Sequence, residues 1–542
     1  MRISGLITAL IIIVFNAQSQ TIEFEWVEMF GNPPNTTDTR TTLSSMNDGS
    51  FFMAGEFLDT ALFGTKTMVS AGGSDIFLTK CSQSGNVLWS VRIGGEDDEY
   101  VKDIAVDGDG NIIVSGFFYG TTMIGSDEYT TLGSQDLFIA KFDTEGDFVW
   151  SYRAGGMMAD YISGITLDED LNIILSGYFY NQINFGDTTL TAVAASDIFL
   201  AKFNSVGELI WVFSAGGSSS DQLNSITGDP DGNILIAGSY YYDFTIGDTT
   251  LTTLDPVGVF VVKIGSGGNL EQAFQINGTY LNSEIFITSA STGDFYLSGC
   301  FSEDATFGDK TFHAGEFNQD LYIARYSADC DLQWARHAFS YGSDQVVAID
   351  TDESGNLYLT GHYLDTIHFE LITLNYTLCC GSREIFIISY DADGRCLWGK
   401  QVSGTRANVK SLEMAPQGKL LLSGLFTEEM TLGPFSLSHY DGFRNYFTTL
   451  ETGVYTSIAD SPGIETIEIF PNPVEHMINI SREGAPGKLS YMVIGMDGRL
   501  LFQGNARTGG TLDLSSVPSG LFILRLTDLT SGLTQNRILI KE

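Results

Sequence analysis

The chain has 542 residues, with 60 glycines, 37 phenylalanines and 23 tyrosines against only 11 prolines. This composition suits many short strands joined by tight turns, and no window carries a long apolar helical stripe, so we expect an all-β protein of two or more domains. The net charge of −40 argues against nucleic acid as a partner, because an acidic surface repels phosphate backbones. It suits solubility outside the cell and is compatible with divalent cations or basic partners.

Residues 1–19 are predicted to be a signal peptide. Arg2 supplies the positive end, residues 6–15 form an apolar run, and residues 17–19 offer small side chains for cleavage. The run is shorter than the ~20 apolar residues that cross a bilayer, and no other stretch is apolar enough. We therefore expect an exported chain without a transmembrane helix.

A hairpin that ends in a tryptophan strand recurs along residues 20–453. One copy runs from residue 136 to residue 142, turns at residues 143–147 and continues to residue 156. The large aromatic is missing near Gln272, where Phe274 takes its place on the same strand face. Spacing at a fixed period indicates a repeat architecture. The tryptophans that mark the repeated position are Trp26, Trp89, Trp150, Trp211, Trp334 and Trp398.

Two glycines nine residues apart keep the same register in the repeats, except that Glu370 replaces the second glycine in the sixth. In the third repeat we predict strands over residues 161–167, 172–180, 197–203 and 208–215. Seven four-stranded antiparallel units predict a seven-bladed β-propeller, with longer connections than the ~40–50-residue repeats of the common types. The first glycines are Gly55, Gly116, Gly177, Gly238, Gly299, Gly361 and Gly424.

The N-terminal strand, residues 21–30, is predicted to complete the last unit beside residues 446–450, since no tryptophan strand follows them. Such a closure leaves no open sheet edge at the ends of the repeat array. The tryptophan row should then pack between neighbouring units. We expect Trp150→Ala to cost about 3–5 kcal/mol if Trp150 is buried.

The units resemble the seven-bladed β-propeller repeats of secreted bacterial proteins, whose pattern runs GGxxxD, DxDGN, SGxF, FG, DxFxxK and W. Here it reads as Gly94-Gly95, residues 107–111, 115–118, 124–125 and 136–141, and Trp150, within a match over about residues 21–453. The chain departs from the pattern at the missing fifth tryptophan, and where Ser389 and Leu450 replace the Lys or Arg. The resemblance implies a scaffold rather than a particular activity.

After residue 453 the repeat stops, and residues 454–465 are predicted to be a linker. Residues 466–542 alternate between short apolar strands and turns, with predicted strands at 466–470, 477–481, 489–495, 499–503, 511–514, 520–527 and 535–541. Seven short strands predict a small Ig-like antiparallel β-sandwich that folds independently.

These residues resemble the C-terminal sorting domain of the type IX secretion system of Bacteroidota-like bacteria. The motifs are FPNP at 470–473, INI at 478–480, DGR at 497–499, LDLS at 512–515, GLFILR at 520–525 and the ending ILIK at 538–541. The resemblance implies recognition by the outer-membrane translocon, then removal of the domain by a sortase with release or surface anchoring. The implied sorting residues are Pro471, Asn472, Pro473, Asp497, Gly498, Gly520 and Lys541.

Two DxDGN turns are weak candidates for calcium, because clustered carboxylates and a carboxamide supply hard oxygen ligands. Asp, Gly and Asn are equally what a tight turn needs for its positive-φ positions, and the complete calcium loop with its distal Glu is absent, so we favour the turn and expect no cofactor. The candidate residues are Asp107, Asp109, Asn111, Asp229, Asp231 and Asn233.

One acidic position recurs just before the first strand of four repeats, and it would form an acidic ring if it lined one mouth of the channel. We favour an architectural role, because a residue that recurs from repeat to repeat more often belongs to the scaffold. Its residues are Glu99, Asp160, Asp221 and Asp344. In the sixth repeat, His362 and His368 lie an even number of residues apart and form a weak metal candidate. The six cysteines follow no zinc spacing, and their pairing is open.

Catalytic signatures are missing: the sequence has no GxSxG elbow, no HExxH, no phosphate-binding GxxxxGK[ST] and no dinucleotide loop. The leading hypothesis is therefore a non-enzymatic module, secreted or anchored at the outer cell surface, that binds an extracellular protein or glycan. The alternative is a secreted polysaccharide hydrolase or lyase that uses carboxylates such as Asp160 and Asp221 at the channel mouth as acid and base.

Overall fold

The computed structural model describes residues 22–30, 40–255, 257–278, 281–315, 318–370, 372–377, 383–452, 467–470, 477–482, 488–495, 500–507, 511–515, 520–528 and 534–541. Over these ranges the chain forms β-strands and one 3₁₀ turn, Pro416–Gly418, which confirms an all-β protein. It divides into two compact units, residues 1–454 and 455–542. This boundary falls beside the predicted linker, which lies outside the described residues, as does the predicted signal peptide.

The first unit contains the seven sequence repeats. The strand before the first repeat is β1 (Phe24–Phe30). The strands of the first repeat are β2 (Thr41–Ser45), β3 (Phe51–Phe57), β4 (Thr60–Phe63), β5 (Lys66–Val69), β6 (Asp75–Cys81) and β7 (Val87–Ile93). Those of the second are β8 (Glu99–Val106), β9 (Ile112–Phe118), β10 (Thr121–Ile124), β11 (Asp127–Thr130), β12 (Asp136–Phe142) and β13 (Phe148–Ala154).

The third and fourth repeats follow the same plan. The strands of the third are β14 (Asp160–Leu167), β15 (Ile173–Phe185), β16 (Thr188–Phe203) and β17 (Leu209–Ala215). Those of the fourth are β18 (Asp221–Gly228), β19 (Ile234–Tyr240), β20 (Asp243–Ile246), β21 (Thr249–Thr252), β22 (Gly258–Ile264) and β23 (Leu270–Gly278).

The last three repeats complete the unit. The strands of the fifth are β24 (Leu281–Ser289), β25 (Phe295–Phe301), β26 (Asp304–Phe307), β27 (Lys310–His313), β28 (Asp320–Tyr326) and β29 (Leu332–Phe339). Those of the sixth are β30 (Gln345–Thr351), β31 (Leu357–Tyr363), β32 (Ile367–Phe369), β33 (Ile372–Leu374), β34 (Glu384–Tyr390) and β35 (Cys396–Gly404). Those of the seventh are β36 (Asn408–Ala415), β37 (Lys419–Leu432) and β38 (Phe435–Glu451).

Each repeat builds one four-stranded antiparallel arrangement, with its buried apolar side chains packed against the neighbouring repeats. The strand orders are β2-β3-β6-β7, β8-β9-β12-β13, β14-β15-β16-β17, β18-β19-β22-β23, β24-β25-β28-β29 and β30-β31-β34-β35, and the seventh is β36-β37-β38-β1. In the third repeat the four strands cover the predicted ones, and β15 and β16 continue into an extra hairpin.

The N-terminal strand β1 pairs with β38, as predicted. Trp26 lies opposite Thr449, and the rings of Trp26 and Phe447 are 5.2 Å apart. The position that carries a lysine in other repeats is therefore Thr449, and the expectation of Leu450 was wrong by one residue. The strand is tied at its start by an ion pair between Glu25 and Lys419 at 2.8 Å.

An extra hairpin between the second and third main strands accounts for the long repeat period. In the first repeat it consists of β4 and β5. Several of these hairpins pair with the last strand of the preceding repeat, so they also join neighbours; examples are β26 on β23, β32 on β29 and β37 on β35. Most of their turns carry a glycine at positive φ, and in the sixth repeat Glu370 adopts φ 49° there instead.

The first strands of the repeats lie side by side. β2 contacts β8, the contacts continue through β14, β18, β24 and β30 to β36, and β36 contacts β2. A hydrogen bond that involves at least one side chain crosses every one of these junctions. The pairs are Glu56 with Val101, Asp103 with Ile165, Ser163 with Leu223, Ser225 with Ile287, Ser289 with Thr351, Asp350 with Met414, and Glu413 with Ser45.

The tryptophans pack on a glycine in the hairpin turn of the next repeat. A Cβ on Gly146, at φ 87°, would lie 3.0 Å from Trp89, and the Trp89 indole N–H donates to the carbonyl of Thr144 at 3.0 Å. Where the row has no tryptophan, the facing turn residue is Cys330 instead of glycine. The tryptophan–glycine pairs are Trp26 with Gly85, Trp89 with Gly146, Trp150 with Gly207, Trp211 with Gly268, and Trp334 with Gly394.

The second unit consists of seven strands in two sheets, β39-β40-β43 and β42-β41-β44-β45. Side chains from both sheets, such as Ile480 and Val493, share one core, as in a sandwich. The predicted strands agree with the observed ones to within a few residues at each end. The strands are β39 (Ile467–Phe470), β40 (Met477–Arg482), β41 (Lys488–Gly495), β42 (Leu500–Arg507), β43 (Thr511–Asp513), β44 (Gly520–Asp528) and β45 (Thr534–Lys541).

The tryptophan row predicts a graded loss of stability. Trp334 is 7 % exposed and its indole donates to the Ala392 carbonyl, so Trp334→Ala should lower the free energy of unfolding by about 3–5 kcal/mol. Trp150 is only half-buried, so Trp150→Ala should cost less than that range, and less than its sequence position suggested. Urea unfolding of both variants checks this, and equal losses would contradict it.

Candidate functional site

The first aspartate of each DxDGN turn is hydrogen-bonded to backbone N–H groups of the same turn and paired with a lysine. Asp107 accepts hydrogen bonds from the backbone N–H groups of Asp109 and Asn111 at 3.0 and 2.9 Å, and its other oxygen lies 2.7 Å from Lys141 Nζ. Burial alone would raise the pKa of Asp107, but hydrogen bonds from Lys141 and Asn111 hold it below its usual value. The first carboxylate of the turn is therefore already bonded to a lysine ammonium.

The second turn repeats this geometry. Asp229 accepts from the N–H groups of Asp231 and Asn233 at 3.0 and 2.8 Å, and Lys263 Nζ lies 3.0 Å away. Among the described residues, no group of three or more His, Cys, Asp or Glu side chains is arranged to hold a metal ion. Calcium binding stays a prediction, and the turn chemistry explains these residues without it.

The recurring acidic residues do not form an exposed ring. Glu99, Asp160, Asp221 and Asp344 are 0 % exposed, so the alternative of an acidic ring at a channel mouth is wrong, and their burial agrees with the favoured architectural role. Asp160 accepts a hydrogen bond from Gly156 N–H at 2.8 Å, while its second oxygen has no partner.

The GG dipeptide before these acids has a steric role. A Cβ on Gly155 would lie 2.2 Å from the carboxyl carbon of the buried Asp136. The dipeptide thus places the carboxyl of Asp136 close to that of Asp160. Burial raises the pKa of Asp160 to about 8, with a smaller contribution from Asp136, and burial raises the pKa of Asp221 to about 8 in the same way.

The two histidines of the sixth repeat lie apart. His362 is buried in β31, where its Nε2 accepts a hydrogen bond from the Val409 N–H at 3.1 Å. His368 lies in β32 and stacks on Phe339 at 4.8 Å, so the pair does not form a metal site. Cys81, Cys300, Cys330 and Cys396 are free thiols, and Cys379 and Cys380 lie outside the described residues.

Two of the sorting residues lie in the described part of the second unit. Gly520 and Lys541 are opposite each other in the antiparallel pair β44 and β45. The others lie outside the described residues, and they are Pro471, Asn472, Pro473, Asp497 and Gly498.

A cavity of about 560 Å³ opens where five of the first strands begin. Its lining comes from the residues at and before the start of β2, from β8, from β24, and from the starts of β30 and β36. The corresponding strands β14 and β18 do not contribute. The cavity therefore belongs to five of the seven repeats and breaks the symmetry of the scaffold.

The charge of this cavity is opposite to that of the chain. One acidic side chain, Glu284, lines it against four basic ones, Arg40, Lys102, Arg383 and Lys410, although acids outnumber bases 67 to 27 in the sequence. Glu284 accepts a hydrogen bond from the Gln345 amide, whose carbonyl accepts from Arg383 Nη1 at 2.7 Å. The carboxylate of Glu284 is thus hydrogen-bonded to Gln345, and positively charged side chains outnumber it in the lining.

Burial, together with the excess of positive charge in the cavity, lowers the pKa values of two of its residues, His362 and Lys102. Burial, and then the charges of Arg383 and Lys410, lower the pKa of His362 to about 3, so the imidazole is neutral. Burial and the charge of Arg40 lower the pKa of Lys102 to about 8, against the opposing effect of Asp103.

Two nitrogens of cavity residues lack hydrogen-bond partners among the described residues. Because Nε2 of the neutral His362 accepts from Val409, its proton sits on Nδ1, which is buried and unpartnered. Nη1 of Arg40 is likewise buried without a partner. Both are donors, and no acceptor in the described protein satisfies them.

Beside the cavity, aromatic side chains of the second and third repeats form a tyrosine platform, defined here by Tyr100, Phe117, Tyr119, Tyr161 and Tyr178. The rings of Tyr100 and Phe117 stack at 5.2 Å, and those of Tyr161 and Tyr178 at 4.8 Å. The Arg40 guanidinium lies 5.1 Å over the Phe117 ring, which joins the platform to the cationic cavity.

An alignment of the repeats in the sequence could have revealed this site, because one position that contributes residues to it varies from repeat to repeat. A Cβ on the repeated strand glycine would meet the carbonyl of one residue in each first strand or just before it. This position varies between repeats. Its occupants are Arg40, Tyr100, Tyr161, Gln222, Glu284, Gln345 and Asn408. At the β-bulge that follows, two repeats carry Lys102 and Lys410 where others carry Ser163, Asn224 and Val347.

Residues 468–541 match the family described as the secretion system C-terminal sorting domain. The chain is therefore exported through type IX secretion to the cell surface or the extracellular space. In the described part of the chain, no helix has the length and apolar character needed to span a membrane.

Curated relatives match only part of this chain. An uncharacterized WD repeat-containing protein, L264 of Acanthamoeba polyphaga mimivirus, is 23% identical over 355 residues, covering 60% of this chain and 24% of the relative. The regulatory protein FlaEY of Caulobacter vibrioides is 25% identical over 207 residues, covering 35% of this chain and 21% of the relative. This chain spans less than a quarter of the length of either relative.

Solved structures resemble the chain at low similarity. PorZ, a surface component of the type IX secretion system of Porphyromonas gingivalis, covers 92% of this chain and 81% of its own at 11% identity, with a TM-score of 0.26. A protein of unknown function from Dyadobacter fermentans covers 79% of this chain and 99% of its own at 10% identity, with a TM-score of 0.34.

The buried acids predict a pH dependence of stability. Asp160 and Asp221 have pKa values of about 8, above those of an unfolded chain, so the folded state holds protons that the unfolded state has released. Stability should fall as the pH rises from about 4 through about 8. Asp160→Asn should make this fall smaller, and thermal unfolding at about pH 5 and pH 8.5 measures it. A variant with an unchanged slope would contradict the shift.

Proposed function

We propose that residues 20–453 form a closed seven-bladed β-propeller that acts outside the cell as a binding module for a glycan or protein ligand. The predicted signal peptide would direct the chain across the inner membrane. The outer-membrane translocon and its sortase would then act on the C-terminal unit, and either release the protein or anchor it at the surface.

Support for the propeller comes from the way the sheets follow one another. The seven repeats each contribute a four-stranded antiparallel arrangement with adjacent first strands, and β1 supplies the fourth strand of the last one. The contact between β36 and β2 joins the last repeat to the first. In such an arrangement the first strands surround a central channel.

The observation that carries the binding role is the asymmetric cationic cavity. Repeated residues build the scaffold, whereas the cavity is lined by residues that differ from one repeat to the next, such as Arg40 and Lys102. Its volume of about 560 Å³ is in the range of small-ligand sites, about 300–1,000 Å³. The carboxylates invoked for hydrolysis or lysis, Asp160 and Asp221, are buried away from it.

One experiment distinguishes a binding module from a hydrolase or lyase. The purified full-length protein, screened against glycans and extracellular proteins, should show saturable binding and no product. Turnover that is lost in Asp160→Asn, Asp221→Asn or Glu284→Gln would instead favour the hydrolase or lyase. If the screen shows neither binding nor turnover, the binding module is rejected.

The sorting role has its own test in the native host. A chain that stops at Gly463 lacks the C-terminal unit and should accumulate in the periplasm, while the full chain reaches the surface or the medium. Immunoblots of the cell fractions measure both forms. Normal arrival of the shortened chain in the medium would overturn the role of the C-terminal unit.

A further inference from the structure

We infer that the cavity and the tyrosine platform together bind an acidic polysaccharide. In this arrangement the basic side chains of the lining, Arg40, Lys102, Arg383 and Lys410, hold an oxyanion of one sugar. A neighbouring sugar ring lies over Tyr100 and Tyr161. The inference rests on the proposed binding function and names the ligand class of that site. The oxyanion is a carboxylate or a sulfate, which the same donors recognise.

The charge balance requires an anionic ligand. Lys102 and Lys410 occupy the same bulge position in the second and seventh repeats, and Arg40 comes from the first repeat between them. The acid beneath them, Glu56, is fully buried and accepts from the backbone N–H groups of Arg40 and Val101. Glu56 also interacts electrostatically with Arg40 and Lys410, but burial raises the pKa of Glu56 to about 8, so near neutral pH it leaves most of the positive charge of the lining in place.

Two hydrogen-bond donors of the cavity residues have no acceptor among the described residues, and a ligand could supply one. Nη1 of Arg40 and Nδ1 of His362 are both buried and unpartnered. His362 is 4 % exposed and neutral, so Nδ1–H is a fixed donor at the wall of the cavity. A buried donor without an acceptor destabilises the protein, and an oxyanion that accepts from these two donors removes that cost.

The tyrosine platform favours a sugar over an acidic peptide. Flat aromatic faces next to hydrogen-bonding groups suit a ring that has an apolar C–H face and a hydroxyl rim. Tyr119 is 36 % exposed, and Tyr161 and Tyr178 are partly accessible. An extended peptide would need a free sheet edge, whereas β8 and β14 are each flanked by a partner strand and by neighbouring first strands.

Calorimetric titration of the full-length protein tests the inference with four probes: oligogalacturonate, chondroitin sulfate oligosaccharide, cello-oligosaccharide and oligo-glutamate. Saturable binding is expected for the first two, and their relative affinity shows whether the site takes a carboxylate or a sulfate. Arg40→Gln and Arg383→Gln should each weaken binding about tenfold or more, because a charged hydrogen bond contributes roughly 1.5–3 kcal/mol. Arg383 is exposed, so its variant keeps the fold.

Two further variants separate the parts of the site. Tyr161→Ala should weaken oligosaccharide binding while leaving the affinity for monomeric galacturonate unchanged, since the monomer needs only the cations. Lys310→Gln removes the same charge from the exposed hairpin strand β27 and should leave binding unchanged. Unfolding midpoints identify any variant that has lost its fold.

Four results would overturn the inference. They are no binding of either acidic oligosaccharide, equal binding of the neutral one, tighter binding of oligo-glutamate, and full affinity in both arginine variants. A different ligand whose binding ignores these residues would overturn the inference but leave the binding module standing.

Discussion

The pairing of β1 with β38 is the constraint on which the first unit depends. Without it the last sheet would lack its fourth strand, and the edge of β38 would expose unpaired backbone groups. The contact of β36 with β2 and the hydrogen bonds that Ser45 donates to Glu413 join the same two ends at the first strands. The chain's first and last repeats are thus held together at an outer strand and at an inner one, and every other junction repeats the inner arrangement with different side chains.

The repeated motifs have steric and electrostatic reasons. Five tryptophans lie against a turn glycine of the next repeat, where a side chain would meet the indole. The fourth repeat lacks the tryptophan, and the turn of the fifth repeat that faces it has Cys330 in place of the glycine. The DxDGN turn keeps its first carboxylate for its own N–H groups and for a lysine of the third strand, as in Asp107 with Lys141. The DxDGN motifs therefore have a structural role in fixing these turns, and calcium binding by them stays a prediction.

The proposed binding site is built from residues that depart from the repeat. The cavity gathers Arg40, Lys102, Arg383 and Lys410 from four repeats in a chain of net charge −40. A surface that is acidic elsewhere repels anions at long range, so a ligand that enters this site must be held by close, directed contacts. In the proposed binding mode the platform around Tyr161 supplies such contacts without charge, and the two features together would select a ligand that is both anionic and ring-shaped.

The sequence by itself determined what is periodic or local: the all-β class, the strands of the third repeat, the pairing of the first strand with the last repeat, and the seven strands of the C-terminal unit. These follow from tryptophan and glycine spacing and from alternation along single strands. Only the tertiary structure decided which side chains meet across repeats. It buried Asp160 and Asp221, separated His362 from His368, and brought Arg40 to Lys410, 370 positions along the chain, because the ring of first strands places the first repeat beside the last. Spacing within one strand carries no information about such distant neighbours.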